Sequence, residues 1–204
     1  MVITASPHAR TVAGIISLSA LAALAVQCTL NLDRDGSPLV AAALLMRYFT
    51  IWSNLAAGLM FGWIAVRGRV HAAIPFALAA ALAIVAVVYW ALLSADHHPV
   101  GWDRYTNQMH HTIVPAASIL WWLAFTARSE AGLRALPLVT VAPLTYTAFA
   151  LTYGAASGFY PYFFLDVPQF GMAQVALNLV GLAMAFMLFG ALLLGLRRIV
   201  SPRA

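Results

Sequence analysis

Apolar residues fall in six long runs, roughly 11–30, 44–66, 72–94, 106–127, 135–157 and 173–196, with polar connections of about 5–15 residues between them. A run of ~20 apolar residues is long enough to cross a ~30 Å hydrocarbon core as a helix. The pattern predicts an all-α integral membrane protein, a bundle of six transmembrane helices in one domain over residues 1–204. The spans use up almost the whole chain, so no soluble catalytic or sensor domain is expected.

Charge adds direction to this pattern. Arg10, then Arg67 and Arg69, then Arg128 and Arg134, then Arg197, Arg198 and Arg203 fall in the N-terminal arm, every second connection and the C-terminal tail. The other connections carry Asp33, Asp35, Asp96, Asp103 and Asp166, with Arg34 and Arg104 as their bases. Short loops rich in Arg and Lys stay in the cytoplasm, which predicts both termini there. The first run starts after a ten-residue arm and is close to spanning length, so it reads as a retained span, not a signal peptide.

Composition agrees: 63% of residues are hydrophobic and 8% charged, with a mean hydropathy of +0.88. The net charge of +5 does not point to nucleic acid, because the Arg residues sit where topology and anionic headgroups place them. Membrane lipids are the expected partners. A single cysteine, Cys28, excludes disulfides and thiolate clusters within one chain. All eleven basic residues are Arg and none is Lys, which fits a high-GC bacterial coding bias and hence a bacterial cytoplasmic membrane.

Polar side chains inside a span are costly, so their positions mark the bundle interior. By helical spacing, Arg47, Thr50 and Asn54 form one stripe on span two, with Ser53 on its shoulder. Asn107, His111 and Pro115 align on span four, and Gln174 and Asn178 on span six. At 1.5 Å per residue, Thr50 lies ~5 Å and His111 ~9 Å inside the outer boundary. A hydroxyl and an imidazole are thereby expected at similar depth in the outer leaflet, the former a nucleophile type and the latter a base type. Each has a plainer reading: Thr bonding back to its own helix, Asn as interhelical glue, His as a satisfied packing group. Consecutive helical residues differ by ~100°, so only one of His110 and His111 shares the face of Asn107 and Pro115, and that one is His111.

The last outer connection reads Gly158-Phe159-Tyr160-Pro161-Tyr162-Phe163-Phe164-Leu165-Asp166-Val167-Pro168. So many aromatics in a loop need cover, and the segment is expected to pack down as a lid with Tyr160, Tyr162, Phe163 and Asp166, or to form an interfacial belt.

Three segments resemble the signatures of a known family. Tyr48-Phe49-Thr50-Ile51-Trp52-Ser53-Asn54-Leu55, the stretch Asn107 to Pro115 with Trp122 following, and Tyr160-Pro161-Tyr162-Phe163-Phe164-Leu165-Asp166 look like those of bacterial six-span proteins similar to the eukaryotic androgen-induced proteins. The resemblance extends over nearly the whole chain and rests on the order of the segments, each being weak alone. It implies an intramembrane threonine hydrolase of fatty acid esters of hydroxy fatty acids, with no cofactor and no metal. Carried over, the nucleophile matches Thr50 and the base matches His111, with His110 beside it leaving the match ambiguous by one. Arg47, Asn54, Asn107 and Asn178 are candidates for steadying an oxyanion or positioning a lipid-like substrate. A third catalytic member would be Asp166 or Asp103 reaching in from a loop; a two-residue dyad is the simpler expectation.

Two other classes stay open. The polar stripes also suit a non-enzymatic lipid-binding or transport protein. Asp96, His97, His98, His110 and His111 gather around the start of span four, as a metal or redox site would require.

Overall fold

The computed structural model describes residues 1–127 and 131–200; Arg128 and Arg203 of the basic pattern lie outside the described residues. The described chain is helical apart from one short ladder. In order it contains β1 (Val2–Thr4), α1 (Pro7–Leu30), α2 (Leu32–Asp35), α3 (Pro38–Leu45), α4 (Phe49–Arg67), β2 (Arg69–His71), α5 (Ala73–Val88), α6 (Trp102–Gln108), α7 (Val114–Phe125), α8 (Val141–Ser157) and α9 (Val167–Val200). Two wide π turns, Tyr89–Leu93 and Met109–Ile113, extend α5 and join α6 to α7. Two 3-10 segments, Leu133–Thr140 and Phe163–Leu165, lead into α8 and α9.

Among the described residues, five helical stretches are long and apolar enough to cross a membrane: Pro7–Leu30, Phe49–Arg67, Ala73–Leu93, Leu133–Ser157 and Val167–Val200. The helix over 102–125 runs alongside them, but Asn107, Gln108, His110 and His111 dilute the apolar character of its first half. Successive long segments reverse direction, giving two ends that can be named by Arg10 and by Thr50.

At the Arg10 end, small residues let α1 and α4 approach closely, the usual device where lipid removes a hydrophobic drive for association. Ser17 donates to the Gly58 carbonyl at 2.7 Å. A β-carbon on Gly58 would fall 2.6 Å from Leu21, and one on Gly62 would fall 2.9 Å from the Ser17 hydroxyl. The C-terminus of α4 is closed by Gly68 at φ 65°, and Arg10 donates to the carbonyls of Ala65 and Val66 at 3.0 and 2.9 Å. A cation on those unpaired carbonyls satisfies both hydrogen bonding and the helix dipole. Where the sequence suggested a plain arm, Val2, Ile3 and Thr4 pair antiparallel with His71, Val70 and Arg69. Buried Arg197 donates to Thr126 at 3.3 Å and to the Ala131 carbonyl, with its guanidinium 4.6 Å from the Trp122 ring centre.

The boundaries of the second run need correction. Residues 44–66 do not form one helix: α3 stops at Leu45, Tyr48 is extended (φ −106°, ψ 132°), and α4 begins at Phe49. The carbonyls freed by the break are taken up by side chains, as buried backbone groups must be. Trp52 Nε1 donates to the Met46 carbonyl, and Tyr146 donates to the Arg47 carbonyl, both at 2.6 Å. Arg47 therefore precedes the helix instead of sharing a stripe with Thr50 and Asn54, and Thr50 stands in the first turn of α4.

Candidate functional site

Thr50 and His111 meet at this helix start. Thr50 Oγ1 lies 3.4 Å from His111 Nε2, and both side chains are part-buried. His111 Nδ1 lies 3.1 Å from the Asn107 carbonyl. A carbonyl only accepts, so Nδ1 carries the proton and the Nε2 lone pair faces the Thr50 hydroxyl. The ring is also stacked on Tyr89, with centroids 3.7 Å apart and planes 17° from parallel.

That stack depends on the two π turns. Tyr89 opens one and His111 lies within the other, and each turn carries an i→i−5 bond: Ser94 N–H to the Tyr89 carbonyl and Val114 N–H to the Met109 carbonyl. Such turns widen a helix locally and are frequent at functional sites. His110 and His111, adjacent in the second turn, both line the same chamber. The Tyr89 hydroxyl accepts from Asn107 Nδ2 at 2.8 Å and lies 3.1 Å from His97 Nδ1. Asn107 thus holds the imidazole through its carbonyl and the stacked phenol through its amide.

The remaining candidates have more varied placements. Asn54 Nδ2 donates to the carbonyls of Thr50 and His110 at 2.9 and 3.1 Å, which straps α4 to the helix of His111. Asn178 stands outside the chamber, donating to the Phe164 carbonyl at 2.9 Å while Gln174 donates to its Oδ1 at 3.0 Å. It fixes the loop over 160–166. Asp166 Oδ1 accepts from the Gln169 N–H at 3.0 Å, an N-cap for α9, and Asp103 Oδ1 accepts from Gln27 at 2.9 Å. Neither carboxylate is hydrogen-bonded to His111.

The aromatic loop reaches further in than a lid would. Tyr160 packs its ring on Gly154, leaving no space for a β-carbon there, and Phe163 stays 54% exposed. Tyr162 instead sends its hydroxyl to the start of α4, where it accepts the Phe49 N–H at 3.1 Å. Burial pushes the Tyr162 phenol up, and the neighbouring donors of Thr50 and Phe49 pull the other way. Sequence reasoning placed Tyr162 in a cap and overlooked Tyr89; the signal for Tyr89 was a lone hydroxyl in the apolar stretch 84–93.

Two cavities share Thr50. One is a chamber of about 720 Å³ with a mixed lining, the more polar of the two, whose polar walls include Gln27, Arg47, Asp103, His110 and His111 and whose apolar walls include Leu30, Leu45 and Val100. The other is a narrow apolar slot of about 40 Å³ between Phe49, Val85, Tyr146, Leu182 and Phe186. Thr50, Leu93 and Tyr162 line both. A molecule with a polar and an apolar half would place its junction at the Thr50 hydroxyl. Among the described residues, no three His, Cys, Asp or Glu side chains converge as metal ligands.

Compared with known proteins, the chain matches no family model, no curated protein and no solved structure.

Proposed function

We propose that the protein is an intramembrane lipid-ester hydrolase with Thr50 as nucleophile and His111 as general base. The observation that carries this reading is the Thr50–His111 pair at 3.4 Å, with the imidazole already held in the tautomer that a base requires. His111 Nε2 takes the Thr50 proton while Oγ1 bonds to the ester carbonyl carbon. The carbon–oxygen bond to the alcohol then breaks, and His111 returns its proton to the leaving alkoxide. Water then gives a proton to the same imidazole and bonds to the acyl carbon, the carbon–Oγ1 bond breaks to release the acid, and His111 returns the proton to Thr50 Oγ1. The Asn107 carbonyl serves as orienting group in place of a carboxylate, so a dyad suffices. Tyr162, whose hydroxyl sits at the start of α4, is the donor we assign to the developing oxyanion.

The polar and apolar cavities that share Thr50 fit an ester whose acyl chain enters the slot and whose alcohol part occupies the chamber. An acyl chain needs the slot to part, because about 40 Å³ holds little more than a methylene or two. The resemblance of the three ordered segments to the androgen-induced proteins supports a fatty acid ester of a hydroxy fatty acid as the substrate. The alternating Arg residues support six spans, with the helix over 102–125 as the fourth, both termini cytoplasmic and the site in the outer leaflet. A bacterial cytoplasmic membrane is part of the same proposal.

Turnover of a long-chain p-nitrophenyl ester by the full chain in nanodiscs tests the reading. Thr50→Val and His111→Ala should each lower kcat by at least ~10²-fold, the scale of lost general-base assistance. Thr50→Ser should keep measurable activity. Full activity in Thr50→Val, or none in the wild type on any ester, refutes it.

A further inference from the structure

Arg47 has no role in the chemistry just described, and its surroundings ask for a ligand. Its Nε donates to the Leu44 carbonyl at 2.9 Å. Its guanidinium carbon lies 4.2 Å from the ring centre of Phe159 and 6.0 Å from that of Tyr48. The plane is held by aromatics and a backbone carbonyl while the side chain, half-buried, forms part of the wall of the polar chamber. Among the described residues, no carboxylate lies within 4.0 Å of it. The nearby acids are already engaged: Asp35 pairs with Arg34 at 2.7 Å, and Asp103 accepts from Gln27. Only Nε of this guanidinium has a protein hydrogen-bond partner among the described residues, and a planar fork facing the chamber suits carboxylate or phosphate oxygens.

We infer that the chamber seats an ionised acid group on Arg47, so that its ligand is an amphipath carrying an anion at its polar end and its chain toward Thr50. Arg47 and Thr50 are three residues apart, which limits their Cα separation to ~11 Å even for an extended chain. One amphipath can therefore set its anion on Arg47 and a carbonyl several bonds away at Thr50. This rests on the proposed reaction for what happens at Thr50, but anion capture itself does not need turnover. The acid group has two possible sources, a fatty carboxylate or a phospholipid phosphate.

Native mass spectrometry of the detergent-solubilised full chain separates these cases, with oleate, methyl oleate and dioleoyl phosphatidate as probes. The wild type should retain oleate at least about tenfold better than methyl oleate, the size of one charge-assisted hydrogen bond. Preference for phosphatidate over oleate would support the same site with phosphate as the anion. Arg47→Gln should bring oleate and methyl oleate within about twofold, Arg47→Lys should keep part of the preference, and Arg69→Gln at the other end should keep all of it. Equal retention of oleate and methyl oleate by the wild type overturns the inference, as does an undiminished preference in folded Arg47→Gln. Should both Arg47 variants fail to fold, the wild-type comparison alone decides. Anion preference without ester turnover would defeat the hydrolase reading and leave this one standing; turnover without anion preference would do the reverse.

Discussion

His111 is held on three sides: Tyr89 under its face, the Asn107 carbonyl at Nδ1 and the Thr50 hydroxyl at Nε2. If the ring's orientation matters, its supports should be measurable separately. Tyr89→Phe keeps the stack and frees the Asn107 amide, so kcat should fall less than in Tyr89→Ala, which removes the stacked face as well. Equal kcat in the two variants would show that the stack contributes nothing. Tyr162→Phe deletes one oxyanion donor and should cost ~10²–10³-fold in kcat with little change in KM, as with other oxyanion donors. A change confined to KM would make Tyr162 a wall of the cavity only. Thr50 and His111 could be found in the sequence because polar groups stand out in apolar runs. Tyr89 and Tyr162 could not, because a phenol is at home both in a core and at an interface, and composition does not say where its hydroxyl points.

Several elements left traces in the sequence and others left none. Long apolar runs give helices directly, and Gly68 after Arg67 marks a helix end. The break between α3 and α4 has no Pro or Gly at 46–48; it is held from afar by Trp52 and Tyr146 bonding the freed carbonyls. The π turns are equally silent, since one extra residue in a turn does not alter hydropathy. The inner loop depends on two contacts that can be tested. Gly154→Ala must displace the Tyr160 ring, and Asn178→Ala removes the bond to the Phe164 carbonyl. Each should loosen the loop that carries Tyr162; for Asn178→Ala the loss of stability should be ~1 kcal/mol, as for a single hydrogen bond. Hydrogen exchange over 159–166 would read this, and unchanged protection in both variants would mean that the loop is held by other contacts.

At the scale of the whole molecule, the arrangement puts the basic cap and the candidate site at opposite ends. Arg10, Arg67, Arg69 and Arg197 gather at one end, while the chamber, the π turns and the aromatic loop occupy the other. With Cys28 replaced, single cysteines near Asp35, His97 and Asp166 should react with an impermeant maleimide from outside intact cells, and ones near Arg69 and Arg134 should not. Labelling near Arg69 would invert the proposed orientation and with it the leaflet of the site.

The central claim is that the Thr50 hydroxyl becomes acylated, and mass spectrometry of acid-quenched protein after brief exposure to a long-chain p-nitrophenyl ester tests it most directly. The account predicts one acyl group on Thr50, absent in Thr50→Val and His111→Ala. An adduct on Ser53, Tyr162 or His111 in its place, or turnover with no protein-bound acyl group at any quench time and full activity in Thr50→Val, would contradict it.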